Sequence, residues 1–219
     1  MTRRGVATLA AVTVTTLLVV AAPAEAGTFR GNARANTIHA TSHGDSVWSY
    51  GGADKVYARG GSDSVWSGSG ADKVYGAAGQ DRIWGEGGSD RLFGQAGGDS
   101  IWGGGGGDLL DGGAGRDSLW GGAGNDKIRS GGDTVKDTIH GGSGGDTIVI
   151  DGYDQVWGEG GNDTITLRGA PQGSLNIDCG PGDDTVVLDV AIKVLVTDCE
   201  HVVYPPAALP QLSAATAAS

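Results

Sequence analysis

A large aliphatic side chain recurs every nine residues through the middle of the chain: Val47, Val56, Val65, Val74, Ile83, Leu92, Ile101, Leu110, Leu119 and Ile128. With small slips the series continues at Ile139, Ile148, Val156, Ile165 and Val186. Most are flanked by polar or aromatic residues, and the intervals between them are rich in glycine. One inward side chain between two outward ones is a very short strand. Glycine-rich intervals are turns. The pattern therefore predicts three-residue strands, x-aliphatic-x, joined by six-residue turns. Towards the C-terminus the spacing loosens and β-branched residues increase. There Leu175 to Cys179, Thr185 to Leu188 and Lys193 to Thr197 read as strands.

An aspartate stands two residues before each aliphatic. The unbroken series is Asp45, Asp54, Asp63, Asp72, Asp81, Asp90, Asp99, Asp108, Asp117 and Asp126, and Asn36 extends it one step back. The register slips by two to Asp137 and Asp146, then by one to Asp154 and Asp163, and a last related unit lies at Asp184. Two residues before the aspartate there is usually glycine, as at Gly88, Gly97, Gly106, Gly115 and Gly124. The cleanest units are Gly112 to Trp120, Gly121 to Arg129 and Gly141 to Val149.

These units resemble the RTX nonapeptide family, whose pattern is G-G-x-G-x-D-x-U-x with U a large aliphatic. The resemblance spans roughly residues 31–187. It implies an all-β fold: a right-handed parallel β-roll, or solenoid, in which two repeats make a coil of about eighteen residues. It also implies that aspartate carboxylates and turn carbonyls of stacked loops hold several Ca²⁺ ions, the hard-oxygen environment that calcium prefers. The implied metal ligands are Asp63, Asp72, Asp81, Asp90, Asp99, Asp108, Asp117, Asp126, Asp146 and Asp163. Asp54, Asp137 and Asp184 are secondary candidates. Asp45 follows Ala40-Thr41-Ser42-His43, with no glycine where the turn needs it, and is left unassigned. So are Asp111, at an outer strand position, and Asp133, inside the two-residue slip. A metal-free solenoid with aspartates capping the turns is the competing reading of the residues. Without metal, stacked carboxylates repel and glycine loses much entropy on ordering, so folding is expected to depend on Ca²⁺.

A second period runs through the residue three after each aspartate. Trp48, Trp66, Trp84, Trp102 and Trp120 alternate with Tyr57, Tyr75, Phe93, Asp111 and Arg129. The residue before each aliphatic alternates too: Ser46, Ser64, Arg82, Ser100 and Ser118 against Lys55, Lys73, Arg91, Leu109 and Lys127. A two-sided roll demands this period of eighteen. One sheet is expected to carry a tryptophan ladder outside, the other a tyrosine–lysine ladder. The tryptophan strip reads either as in-register stacking that stabilises the sheet or as a surface for a glycan, a protein partner or a second copy.

Composition sharpens the rest. Glycine accounts for 43 of 219 residues, and its periodicity separates the chain from a disordered one. The formal charge of −11 is expected to repel nucleic acid and anionic membranes and to favour cations. His39, His43, His140 and His201 are scattered, so zinc or copper is not expected. Arg3 and Arg4, the apolar run Val6 to Ala22 and Ala24-Glu25-Ala26 form a secretory signal, which predicts removal of residues 1–26 and a secreted, extracellular protein. An uncleaved membrane anchor is the alternative. Export permits a disulfide, and Cys179 and Cys199 lie about one coil apart. The domains expected are an N-terminal cap at 27–39, the roll at 40–168, C-terminal β capping coils at 169–204 and a disordered tail at 205–219. Gly141-Gly142-Ser143-Gly144-Gly145 matches a hydrolase string but falls inside a repeat turn, and no paired carboxylates mark a cleft. The reading is a non-enzymatic, stand-alone calcium-binding roll, with a calcium-stabilised binding module as the alternative.

Overall fold

The structure is a computed structural model that describes residues 25–169, 175–189 and 195–204. The signal segment falls almost wholly outside the described residues, and the tail at 205–219 falls wholly outside them. Within the described residues every regular element is a strand. The strands alternate between two ten-stranded sheets, each built only of parallel neighbours one coil apart. The fold is an all-β parallel solenoid, as the eighteen-residue period requires.

Register is set by the aliphatic at the centre of each strand. In one sheet Val47 pairs with Val65, Val65 with Ile83, Ile83 with Ile101 and Ile101 with Leu119. In the other the column is Val56, Val74, Leu92, Leu110 and Ile128. Every one of these residues is 0 % exposed. The core is therefore two columns of aliphatics between the sheets. Each buried Val, Leu or Ile contributes about 1.5–3 kcal/mol, and nine residues of chain must be ordered for each one. A core that thin leaves little margin, so the turns decide whether the roll holds.

The strands are longer than the three-residue pattern predicts. Lys55–Tyr57 and Ser64–Trp66 have three residues, but Lys73–Ala78, Leu109–Ala114 and Ser118–Ala123 have six. The reason is that coil-to-coil pairing at an offset of eighteen continues through the first turn residues, as in Gly122↔Gly104 and Ala123↔Gly105. The chain bends at the second turn position without leaving the ladder. That position takes a left-handed backbone, φ 107° at Gly122, and the same conformation is forced on Ala77, Glu86 and Gln95.

The slip after Asp126 does not break the roll. The segment from Gly131 to Lys136 absorbs the extra residues, and Thr138–Ser143 pairs with Ser118–Ala123 in normal register. Before the repeats, Thr28–Asn32 and Thr37–His39 pair in the same parallel manner. After them, Asn176–Asp178, Thr185–Leu188, Leu195–Thr197 and His201–Val203 extend both sheets. These last strands add coils, and among the described residues nothing covers the end: Leu195 is 64 % and Val203 48 % exposed.

Cys179 and Cys199 form a disulfide across neighbouring coils, with their Cα atoms 5.2 Å apart. Cys179 occupies the first turn position and is fully buried. Replacing both cysteines with serine should destabilise the calcium-loaded chain by about 3 kcal/mol, the expected effect of a loop of this length. Thermal unfolding followed by circular dichroism reads this, and an unchanged midpoint would show that the last coils do not unfold with the rest.

Candidate metal centre and the aromatic faces

The repeat aspartates form two continuous ladders, one along each line of turns. The Oδ1 of each carboxylate accepts the backbone N–H of the aspartate one coil earlier. Asp81 N–H reaches Asp99 at 2.8 Å and Asp99 N–H reaches Asp117 at 2.7 Å. On the other line Asp90 N–H reaches Asp108 at 2.8 Å and Asp108 N–H reaches Asp126 at 2.7 Å. The ladders survive each slip: Asp117 donates to Asp137, Asp137 to Asp154, Asp126 to Asp146, Asp146 to Asp163 and Asp163 to Asp184.

The ends of the ladders show what the sequence reading missed. Asp184 N–H donates to Glu200 Oε2 at 2.8 Å. Glu200 stands two residues before Val202, the same spacing that marked every aspartate, so the signal was present in a different acid. At the other end Asn36 Oδ1 accepts Asn32 N–H at 2.7 Å, which closes the ladder with a neutral amide. Asp45, left unassigned above, lies in the ladder, but both of its oxygens are taken. Oδ1 accepts Gly27 N–H, and Oδ2 accepts Thr41 N–H at 2.6 Å and the Thr41 hydroxyl at 2.7 Å. The missing glycines of that unit are replaced by a side chain that fills the acceptor. Asp154 joins the ladder as a regular member. Asp111 stands outside it, and Asp133 accepts Gly115 N–H at 2.7 Å from the slip segment.

The second oxygen is different. The Oδ2 atoms of Asp54, Asp63, Asp72, Asp81, Asp90, Asp99, Asp108, Asp117, Asp126, Asp146, Asp154, Asp163 and Asp184 are buried and have no hydrogen-bond partner. A buried acceptor without a partner is costly, more so when charged. At eight turns it faces a carbonyl oxygen of the next coil, in the space beside the first glycine. A Cβ placed on Gly103 would lie 2.5 Å from Asp108 Oδ2 and 2.5 Å from the Gly121 carbonyl oxygen. The same convergence occurs beside Gly76, Gly85, Gly94, Gly112, Gly121, Gly141 and Gly158. The two oxygens leave no room for a side chain at this position, and it is the unpartnered buried Oδ2 that calls for a proton or a cation. Among the described residues no three His, Cys, Asp or Glu side chains cluster. A cation here would therefore rest on one carboxylate per turn and on backbone carbonyls, a donor set that fits Ca²⁺. Asp63 and Asp72 differ from the eight, because Ala58 and Ser67 put side chains at the first turn position and are themselves buried.

Burial makes these carboxylates hard to ionise. Desolvation, partly offset by the N–H each one accepts, lifts Asp63, Asp90, Asp99 and Asp146 to about 7. The same balance lifts Asp54, Asp117, Asp126 and Asp163 to about 6, and Asp137 to about 8. Neighbouring aspartates push most of these in the same direction. A group whose carboxyl is harder to ionise folded than unfolded stabilises the fold while it is protonated. That contribution is complete below the ordinary value of 3.8 and is lost as the pH rises through about 6 to 8.

The tryptophans stack face to face along one sheet. Centroids are 4.8 Å apart for Trp48–Trp66, Trp66–Trp84 and Trp102–Trp120, with planes within 5°. His140 and Trp157 continue the column. Both stand three residues after a ladder aspartate, so the sequence marked them, although the slips hid them from a strict eighteen-residue count. On the other sheet His39, Tyr57, Tyr75 and Phe93 stack likewise.

Two outcomes follow for the chain without metal and with it. In the presence of a chelator, far-UV circular dichroism should show more strand at pH 5 than at pH 8, and equal spectra would contradict the burial of the carboxylates. Gly103→Ala should weaken the calcium-loaded roll by about 1–3 kcal/mol through overpacking. Gly87→Ala should be close to neutral, because a Cβ there meets nothing within 4 Å. Equal effects in thermal melts would show that the oxygens beside Gly103 do not need that space.

A protein-family model described as the RTX calcium-binding nonapeptide repeat (4 copies) matches residues 30–65, 66–101, 102–134, 136–149 and 151–169. A search of curated proteins finds no match. The matched segments take in most of the two aspartate ladders and more than half of the 219 residues. By this match, the chain belongs to the RTX calcium-binding nonapeptide-repeat family.

Proposed function

We propose that the chain is an extracellular structural protein that binds several calcium ions in its turns and folds when it does so. The observation that carries this reading is the row of buried, unpartnered Oδ2 atoms. A metal-free roll at neutral pH must either protonate them or bury their charge. Asp81, Asp90, Asp99, Asp108, Asp117, Asp126, Asp146 and Asp163, each with a glycine at the first turn position, would hold the ions together with carbonyls of adjoining coils. Calcium supplies positive charge to rows of like charges. The residues themselves order the backbone through Oδ1 and keep water out through the aliphatic columns. Ionised ligands are required, so calcium displaces protons as it binds.

The extracellular setting rests on the signal-like segment at residues 1–26 and on the disulfide, which suits an oxidising compartment. A non-enzymatic role accords with carboxylates that are evenly repeated and already engaged in the ladder. The alternative, glycan binding by the tryptophan strip, meets an obstacle: each indole face lies against the next ring, leaving edges outward. Mutual stacking accounts for the strip as a stabiliser of its sheet.

Titration of the metal-free chain with calcium at pH 7.5 should convert a disordered far-UV spectrum to a strand spectrum. Asp99→Asn with Asp108→Asn should raise the calcium midpoint and reduce the number of ions bound in calorimetry. A strand spectrum that is unchanged by chelation at this pH would sink the proposal.

A further inference from the structure

The net charge of −11 misdescribes the outside of the roll. Fifteen of the 26 acidic residues are the buried ladder aspartates. From Thr28 to Arg168 twelve Lys and Arg face only five acids outside the ladders, Glu86, Asp111, Asp133, Asp151 and Glu159. Once the ladders are neutralised, this part of the molecule is basic towards solvent. The inference therefore rests on the calcium reading proposed above.

The cations are also ordered. Lys55, Lys73 and Arg91 occupy consecutive rungs of one column on the outside of the tyrosine sheet. Leu109 follows, and Lys127 resumes the column. Rungs of a parallel sheet are about 4.8 Å apart. Like charges on facing positions of adjacent strands repel. Among the described residues none of these cations has an ion-pair partner, since the two ion pairs present join His140 to Glu159 and His201 to Asp183. The lysines are held instead over aromatic rings, Lys55 5.0 Å from the Tyr57 centroid and Lys73 5.2 Å from that of Tyr75. A straight, evenly spaced row of uncompensated cations is complementary to a linear polymer of evenly spaced anions.

We infer that this column is a docking strip for a linear anionic polysaccharide, exposed in a net-basic setting only when the aspartate ladders are neutralised by calcium. A single-stranded nucleic acid fits less well. Its bases need open aromatic faces, and Tyr57, Tyr75 and Phe93 cover one another at 5.1 and 5.2 Å.

The test uses the full chain in calcium, with heparin as the probe, uncharged dextran as the control and oligothymidylate as the competitor class. Far-UV spectra and calcium calorimetry are recorded first for the wild type and for the triple variant Lys55→Gln, Lys73→Gln, Arg91→Gln. The calcium-loaded wild type should bind heparin, ignore dextran and weaken steeply with salt. The triple variant should fold and bind calcium normally yet bind heparin at least about tenfold more weakly, with a shallower salt dependence. Equal heparin binding by the folded triple variant, no binding by the folded wild type, or tighter binding of oligothymidylate each overturns the inference. If calcium fails to fold the wild type, the calcium reading falls. The calcium gating then falls with it, and the comparison of wild type with the triple variant alone decides whether the strip docks the polymer.

Discussion

The roll depends on a carboxylate that does two things at once. One oxygen of each repeat aspartate holds the backbone of the coil before it, and this requires the side chain to lie inside the turn. In thirteen of them the other oxygen is thereby buried with nothing to satisfy it. Ordering the backbone and incurring the electrostatic cost are one act, repeated in two parallel rows. A lone buried carboxylate would simply protonate. Fifteen of them, stacked one coil apart, make the whole domain respond to whatever neutralises them.

The remaining features follow from that constraint. A single aliphatic per nine residues cannot offset rows of desolvated charge, so the aliphatic columns fix register while leaving stability to the turns. Glycine at the first turn position is required because Oδ2 and a carbonyl of the next coil already fill the space a Cβ would take. Where the chain departs from glycine it also departs in chemistry. Ser49 and Ser67 donate their hydroxyls to the Ser67 and Gly85 carbonyls, at 2.9 and 3.0 Å, so the N-terminal coils partly replace cation-dependent contacts with hydrogen bonds. Thr41 does the same for Asp45. Only Asp45 is thereby satisfied in full, because the Oδ2 atoms of Asp54, Asp63 and Asp72 stay unpartnered like those of the later coils.

Much of this was legible in the sequence because the fold is periodic. A repeat of nine gives the turn and strand, and alternation at eighteen gives the two sheets. Asp81 to Asp126 and the aliphatics after them needed no structure to be placed alternately on two lines of turns. The strand length was not legible, since nothing in a glycine-rich turn says that its first residues continue the coil-to-coil pairing seen at Gly104 and Gly122. Nor was the capture of Asp45 by Thr41, which depends on a hydroxyl four residues away filling the place that glycines leave open elsewhere. Glu200 lies outside the aspartate pattern, whereas the ladder asks only for a carboxylate two residues before the central residue of a strand.

Charge is where composition misleads most. Net charge counts every carboxylate alike, but a protein meets its surroundings only through the groups that reach solvent. In a fold that buries its acids in rows and projects its bases from strands, the sign of the sum and the sign of the surface separate. The division follows from the pleat. The aspartate precedes the inward aliphatic by two, so it faces the inside of the turn, while Lys55, Lys73 and Arg91 precede it by one and must face outward. The alternation that builds the core therefore sorts acid from base. A cation or proton that discharges the inside leaves the outside to be decided by the flanking positions alone.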